Sequence, residues 1–168
     1  RELVGRGDEV TALVGADLDN HNLDGIDVEI RPIDLLDRDG VRAALEGGEL
    51  LVHNAACYSF WQPDPNLIYR VNVDGTQHVL DAAAEHGYRK IVYTSTVGVL
   101  GLPPDGVPGN EETPVSIDDM VGHYKRSKYL AEQEVRRFFQ QDGLPVVIVN
   151  PSTPVGENDI KPTPTGKI

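Results

Sequence analysis

Short apolar runs alternate with longer amphipathic stretches along the whole chain. Five runs read as strands, at residues 9–14, 27–30, 50–53, 90–95 and 145–150. They are nearly continuous in apolar residues and bounded by polar turns, the pattern of strands covered on both faces in a parallel sheet. Three stretches between them read as helices. One is short, at residues 39–46. A long one runs over residues 64–86, with Asp64 as N-cap, Pro65 in the first turn and Gly87 past the end. The third begins at about Ser116 or Asp119, reaches Gln141 and stops at Gly143.

Strands alternating with helices imply crossover connections and a doubly wound α/β fold with a parallel sheet. The chain has no internal repeat and no low-complexity tract. Loops rich in Pro and Gly follow at residues 101–114 and 151–166, after strand ends where such sheets bind ligands. A sheet of this kind opens with a strand and a glycine-rich turn that carries the phosphate site. Here Arg1 to Asp8 instead reads as the end of a helix running into a strand. Gly5 and Gly7 are therefore a C-cap and a turn. The expectation is one partial Rossmann-like domain over residues 1–168. Its first strand and the glycine-rich loop would be absent.

A length of 168 residues suits one domain with a real core. The net charge of −12 comes from scattered carboxylates such as Asp17, Asp19, Asp24 and Asp27. Such a field repels phosphate backbones, so nucleic acid is not expected as a partner. Cys57 is the only cysteine, so no internal disulfide can form, which suits a reducing, cytoplasmic setting. No run is long and apolar enough for a transmembrane segment, and no signal peptide opens the chain.

Tyr124 and Lys128 lie four apart in the third helical stretch, so both project from one face. A phenol titrates near pH 10 in a model peptide, too high for a base at neutral pH. A neighbouring ammonium favours the phenolate, which makes the pair a candidate for proton exchange with a substrate hydroxyl or carbonyl. The spacing alone is common on helix surfaces. The hydroxyls of Thr94, Ser95 and Thr96 end the fourth strand, where ligands bind, and Thr96 could polarise the oxygen that Tyr124 protonates. The histidines at 21, 53, 78, 86 and 123 lack metal-ligand spacing, so no metal site is expected. His53 reads as a strand-end residue and His123 as a position turned away from Tyr124. Cys57 reads as a small packing residue. Tyr58, Phe60 and Trp61 form an aromatic patch suited to loop packing or to a substrate pocket. Phe138 and Phe139 extend an apolar face with Ala131 and Val135.

The run from the Thr94–Thr96 hydroxyls to Tyr124-Lys125-Arg126-Ser127-Lys128 resembles the extended short-chain dehydrogenase/reductases, the NAD-dependent epimerase/dehydratase family. Asp34 and Leu35 resemble the family's pair beside the adenine. Asn54, Ala55 and Ala56 resemble the segment lining the cofactor after the central strand. Asn72 matches the helix asparagine that braces the active site, and Asn150-Pro151-Ser152 resembles the turn that packs on the nicotinamide. The strings 118–128, 150–156 and 159–166 look like those of hopanoid-associated sugar epimerases, relatives of the dihydroflavonol reductases.

This resemblance implies catalytic roles for Thr96, Tyr124 and Lys128. It implies cofactor contacts from Asp34, Leu35, Asn54, Ala55, Ala56, Asn72, Ser95, Tyr124, Lys128, Pro151 and Ser152. Thr96 stands where Ser is usual. Gly15, Ala16 and Asp17 follow the first strand where the subgroup often has Arg, so NAD and NADP both stay open. The implied activity is hydride transfer at a hydroxyl or keto carbon, with a nucleotide sugar as the small-molecule substrate. A one-way NADPH-dependent reductase and a non-catalytic dinucleotide sensor are the alternatives. The resemblance also implies a C-terminal substrate region that would be absent from these residues, and a homodimer for the complete protein.

Overall fold

A computed structural model describes residues 1–58, 63–104, 106–154, 156–157 and 160. The first helix, α1 (Glu2–Gly5), ends at Gly7 in the left-handed conformation (φ 88°). There the Asp8 N–H donates to Leu3 O at 3.1 Å, a Schellman closure that turns the chain into β1 (Thr11–Gly15). β2 (Glu29–Ile33) lies parallel to β1, with Thr11 opposite Glu29 and Gly15 opposite Ile33. The strand thus runs two to three residues later than expected. Pro32 is accommodated within it because β2 pairs on one side only.

Asp37 caps α2 (Arg38–Ala44) by accepting from the Gly40 N–H at 3.1 Å. β3 (Leu50–His53), β4 (Lys90–Thr94) and β5 (Val146–Val149) form a second parallel sheet in that order, with His53 opposite Tyr93 and Tyr93 opposite Ile148. Among the described residues no strand joins β1 to β3, so the doubly wound sheet is in two parts, as expected of an incomplete domain.

The long helix over residues 64–86 is continuous but not uniform. Asp64 caps α3 (Pro65–Tyr69) by accepting from the Asn66 N–H. A π-helical turn follows at Arg70–Asp74, and α4 (Gly75–Glu85) completes the element. Gly87 (φ 70°) closes it, with the Tyr88 N–H on Ala83 O. The expected third helix also divides. Ser116 and Asp119 form a capping box around a single 3-10 turn, Ile117–Asp119. The chain then turns at Gly122 (φ 84°) into α5 (Gly122–Asp142), which ends at left-handed Gly143.

The core lies between the sheet and α2, α4 and α5. It contains Val41 and Leu45, Val79, Leu80 and Ala83, Ala131, Val135 and Phe138, packed on Ile91 and Tyr93. Coverage of both sheet faces is not what the chain builds. Leu50 is 52% and Val52 55% exposed, and Val147 and Val149 share that character. The reason is that α2, α4 and α5 all pack on the other face. Phe139 departs from expectation in the same way. Its neighbour Phe138 is in the core, whereas Phe139 is 58% exposed.

Candidate active site

The candidate residues collect where β3, β4 and β5 end and α5 passes over them. Lys128 projects from α5 into the protein and is 3% exposed. Its ammonium donates to Tyr93 Oη (3.0 Å) and to Thr94 O (2.9 Å), and lies 4.6 Å from the Tyr93 ring centroid. Burial holds its pKa down at about 8, against a smaller opposing pull from Glu132. Tyr124 lies one turn earlier on the same helix, half-buried, with the Tyr58 ring edge-on at 4.4 Å. Burial, then Tyr58, pushes its phenol upward. Sequence pattern suggested that Lys128 lowers this phenol. In this structure the ammonium is instead engaged by Tyr93 and the strand end.

Asn72 explains the π turn. One extra residue in the helix points the Asn72 side chain into the interior, where it is buried. Its Oδ1 accepts from the Cys57 N–H (2.7 Å). Its Nδ2 donates to Cys57 O (3.0 Å) and to Ser127 Oγ (2.9 Å). Ser127 in turn donates to Tyr124 O (2.8 Å). Asn72 thus ties the segment after β3 to the turn of α5 that bears Tyr124. Asn54, Ala55 and Ala56 lie exposed just before Cys57. Thr76 donates to Asn72 O (2.7 Å), so its oxygen accepts from Nε2–H of buried His53 (3.0 Å). Desolvation, then the Lys128 charge, drives the His53 pKa down to about 4, so this histidine is neutral.

The ends of β4 and β5 are joined through Glu132, a side chain that the sequence pattern did not single out. Ser95 is buried, and its hydroxyl donates to Glu132 Oε2 at 2.6 Å. Asn150 donates to the same oxygen (3.1 Å) and to Thr96 O (3.1 Å). Glu132 Oε1 receives Arg136 at 2.7 Å. The Val97 N–H donates to Pro151 O, so the two loops run side by side. Thr96 Oγ1 accepts from the Gly98 N–H (3.1 Å) as it caps the turn Val97–Val99, leaving its hydroxyl hydrogen uncommitted. Pro151 is half-buried and Ser152 exposed. Asp34 and Leu35 follow β2, and Leu35 meets α4. Asp34 Oδ1 accepts from the Leu36 N–H, while Leu35 packs on Gly75 and its carbonyl meets His78 Nδ1 (2.9 Å).

Tyr93, Ser127 and Glu132 were the missed members. Tyr124, Lys128 and Glu132 recur at four-residue intervals, which was a readable sign that all three share one face. His123 turns away from the site and bonds Tyr69 Oη at 3.0 Å. Phe60 and Trp61 of the aromatic patch, and residues 159 and 161–166 of the last matching string, lie outside the described residues. Among the described residues no cluster of His, Cys, Asp and Glu could hold a metal ion, and no helix is long and apolar enough to cross a membrane.

The parts of a dinucleotide site are unevenly represented. An exposed carboxylate after β2, small exposed residues after β3, and a lysine at the end of β4 suit the adenosine and nicotinamide ends of a dinucleotide. Gly5 and Gly7 lead into β1 rather than into a helix, so they do not supply a turn for the pyrophosphate.

The sequence profile of the NAD dependent epimerase/dehydratase family matches residues 1–168. A Synechocystis sp. protein provisionally named a dihydroflavonol 4-reductase is 44% identical over 168 residues, which is 100% of this chain and 48% of that protein. The crystal structure of gox2253 superposes with a TM-score of 0.92 at 48% identity, covering 99% of this chain and 51% of that one. The UDP-glucose 4-epimerase of Thermus thermophilus, solved with NAD, superposes with a TM-score of 0.78 at 28% identity, covering 89% of this chain and 49% of that one. The chain spans about half the length of the relatives it matches.

Proposed function

Because the chain belongs to the NAD-dependent epimerase/dehydratase family, we propose that its residues form the cofactor half of an NAD(P)-dependent enzyme acting at a hydroxyl or keto carbon, with a nucleotide sugar as substrate. A bound nicotinamide would supply the hydride acceptor and donor. Tyr124 is the acid/base that gives a proton to, or takes one from, the substrate oxygen. Thr96, with its hydroxyl hydrogen uncommitted, orients that oxygen. Lys128, whose ammonium is held at the end of β4, would bond a ribose hydroxyl of the cofactor and favour the phenolate of Tyr124. Asp34 and Leu35 would meet the adenosine end, and Asn54, Ala55 and Ala56 the middle of the cofactor. Ser95, Pro151 and Ser152 would flank the nicotinamide.

The observation that carries this reading is the Asn72 brace. A buried side chain makes three hydrogen bonds that hold the segment after β3 against the turn bearing Tyr124. Such an arrangement fixes an acid/base relative to a ligand-binding strand end. The similarity to a UDP-glucose 4-epimerase supports the sugar-nucleotide class. The higher identity to a protein named for dihydroflavonol reduction supports a second reading, a one-way ketone reductase.

The full-length protein with UDP-glucose and NAD, assayed by chromatography, tests the first reading. Interconversion of the sugar without net formation of NADH is the expected result. Stoichiometric oxidation of NADPH with a ketone substrate would transfer the assignment to the reductase. Dinucleotide binding with neither turnover would leave a sensor.

A further inference from the structure

We infer that Glu132 is a positioning residue of this site, tying the ends of β4 and β5 together so that the loops bearing Thr96 and Pro151 keep their spacing; this rests on the dinucleotide reading above. Glu132 is 3% exposed, yet its carboxylate is met by donors from three different places in the fold. Ser95 comes from the end of β4, Asn150 from the end of β5, and Arg136 from the next turn of α5. Asn150 extends the clamp to the Thr96 carbonyl. The carboxylate therefore sets the spacing of the two loops that carry Thr96 and Pro151.

The clamp has a consequence for Ser95. Its single hydroxyl hydrogen is committed to Glu132, so toward any ligand Ser95 can act only as an acceptor. Glu132 also stands one turn from Lys128 along the same face. The groups around the ammonium are Tyr93 and the Thr94 carbonyl on β4, which accept from it, and His53 on β3, which is neutral. The Glu132 carboxylate is itself paired with Arg136 at 2.7 Å, and it offsets only part of the effect of burial on Lys128. Without that carboxylate the buried ammonium would shed its proton more readily.

The test uses the full-length protein with Glu132→Gln and Glu132→Ala. The amide keeps the shape and one acceptor but removes the charge, while alanine removes the clamp as well. The Lys128 titration is followed by NMR of labelled lysine side chains, assigned with Lys128→Met. NADH affinity is followed by fluorescence across the same pH range. In Glu132→Gln the Lys128 midpoint should fall, and the alkaline loss of NADH affinity should move down with it. Glu132→Ala should in addition bind NADH roughly tenfold more weakly below that midpoint, a loss of about 1.4 kcal/mol. Unchanged Lys128 midpoints and NADH profiles in both variants would overturn the inference, even if their melting temperatures fell. A wild-type protein that binds no NADH would overturn the dinucleotide reading, while a shifted Lys128 midpoint in Glu132→Gln would still uphold the influence of Glu132 on this site.

Discussion

At the scale of single residues, the site depends on which polar groups are buried with partners. Tyr124 is half-buried against Tyr58, so Tyr124→Phe keeps the ring contact and removes only the hydroxyl. Turnover in the full-length protein should fall on the order of 10²–10⁴-fold, with NADH affinity nearly unchanged. Steady-state rates close to wild type would exclude Tyr124 as the acid/base. His53 makes a different prediction. Its pKa in the fold is about 4, below the ordinary 6.5. Between these values the unfolded chain binds a proton that the folded chain refuses, so stability is complete above about pH 6.5 and is lost as pH falls toward 4. The loss attributable to His53 should approach roughly 3 kcal/mol. Urea unfolding at pH 7 and pH 4.5 checks this, because His53→Gln should flatten that part of the slope.

At the scale of elements, the long helix is the informative one. Its caps are local, and Asp64, Pro65 and Gly87 lie where the sequence pattern places them. The π turn at Arg70–Asp74 lets Asn72 meet Cys57 and Ser127, and Thr76 just after it meets His53. Those partners lie far along the chain, so no helical periodicity announces them. Gly75 begins the following helix where it passes Leu35. A Cβ there would stand 2.9 Å from Leu35 Cβ. Gly75→Ala should therefore destabilise the fold by roughly 1–3 kcal/mol through overpacking, and should displace Leu35 enough to weaken NADH binding. Equal stability and affinity in that variant, by urea unfolding and fluorescence titration, would show that the contact relaxes without consequence.

At the scale of the whole molecule, the 168 residues cover one face of a sheet and leave apolar residues on the other. As a separate segment they should bind NADH at least about 100-fold more weakly than the full-length protein. The pyrophosphate needs N–H groups at a helix N-terminus behind a glycine turn, and the negative charge of the chain supplies no substitute. Calorimetric titration of both proteins measures this, and equal affinities would mean that the phosphate site lies within these residues. Phe139 presents an aromatic ring to solvent on α5. The full-length protein should be a homodimer with that face buried, and Phe139→Asp should shift it toward monomer in light scattering. A monomeric wild type at micromolar concentration would remove the basis for that interface.

The amino-acid sequence by itself determined the order of strands and helices, the helix caps, and the Tyr124–Lys128 pair. These depend on periodicity and on local chemistry within a few residues. It also indicated the strand-end hydroxyls at Thr94–Thr96, because the ends of parallel strands are where such folds meet ligands. The tertiary structure alone decided what Lys128 touches, why the helix at Asn72 takes a π turn, and that Glu132 joins two strand ends. Ser95 and Glu132 are 37 residues apart and Asn72 and Ser127 are 55 apart. The worth of a buried hydrogen bond lies in the partner that meets it, and packing across distant segments, not local pattern, brings that partner into place.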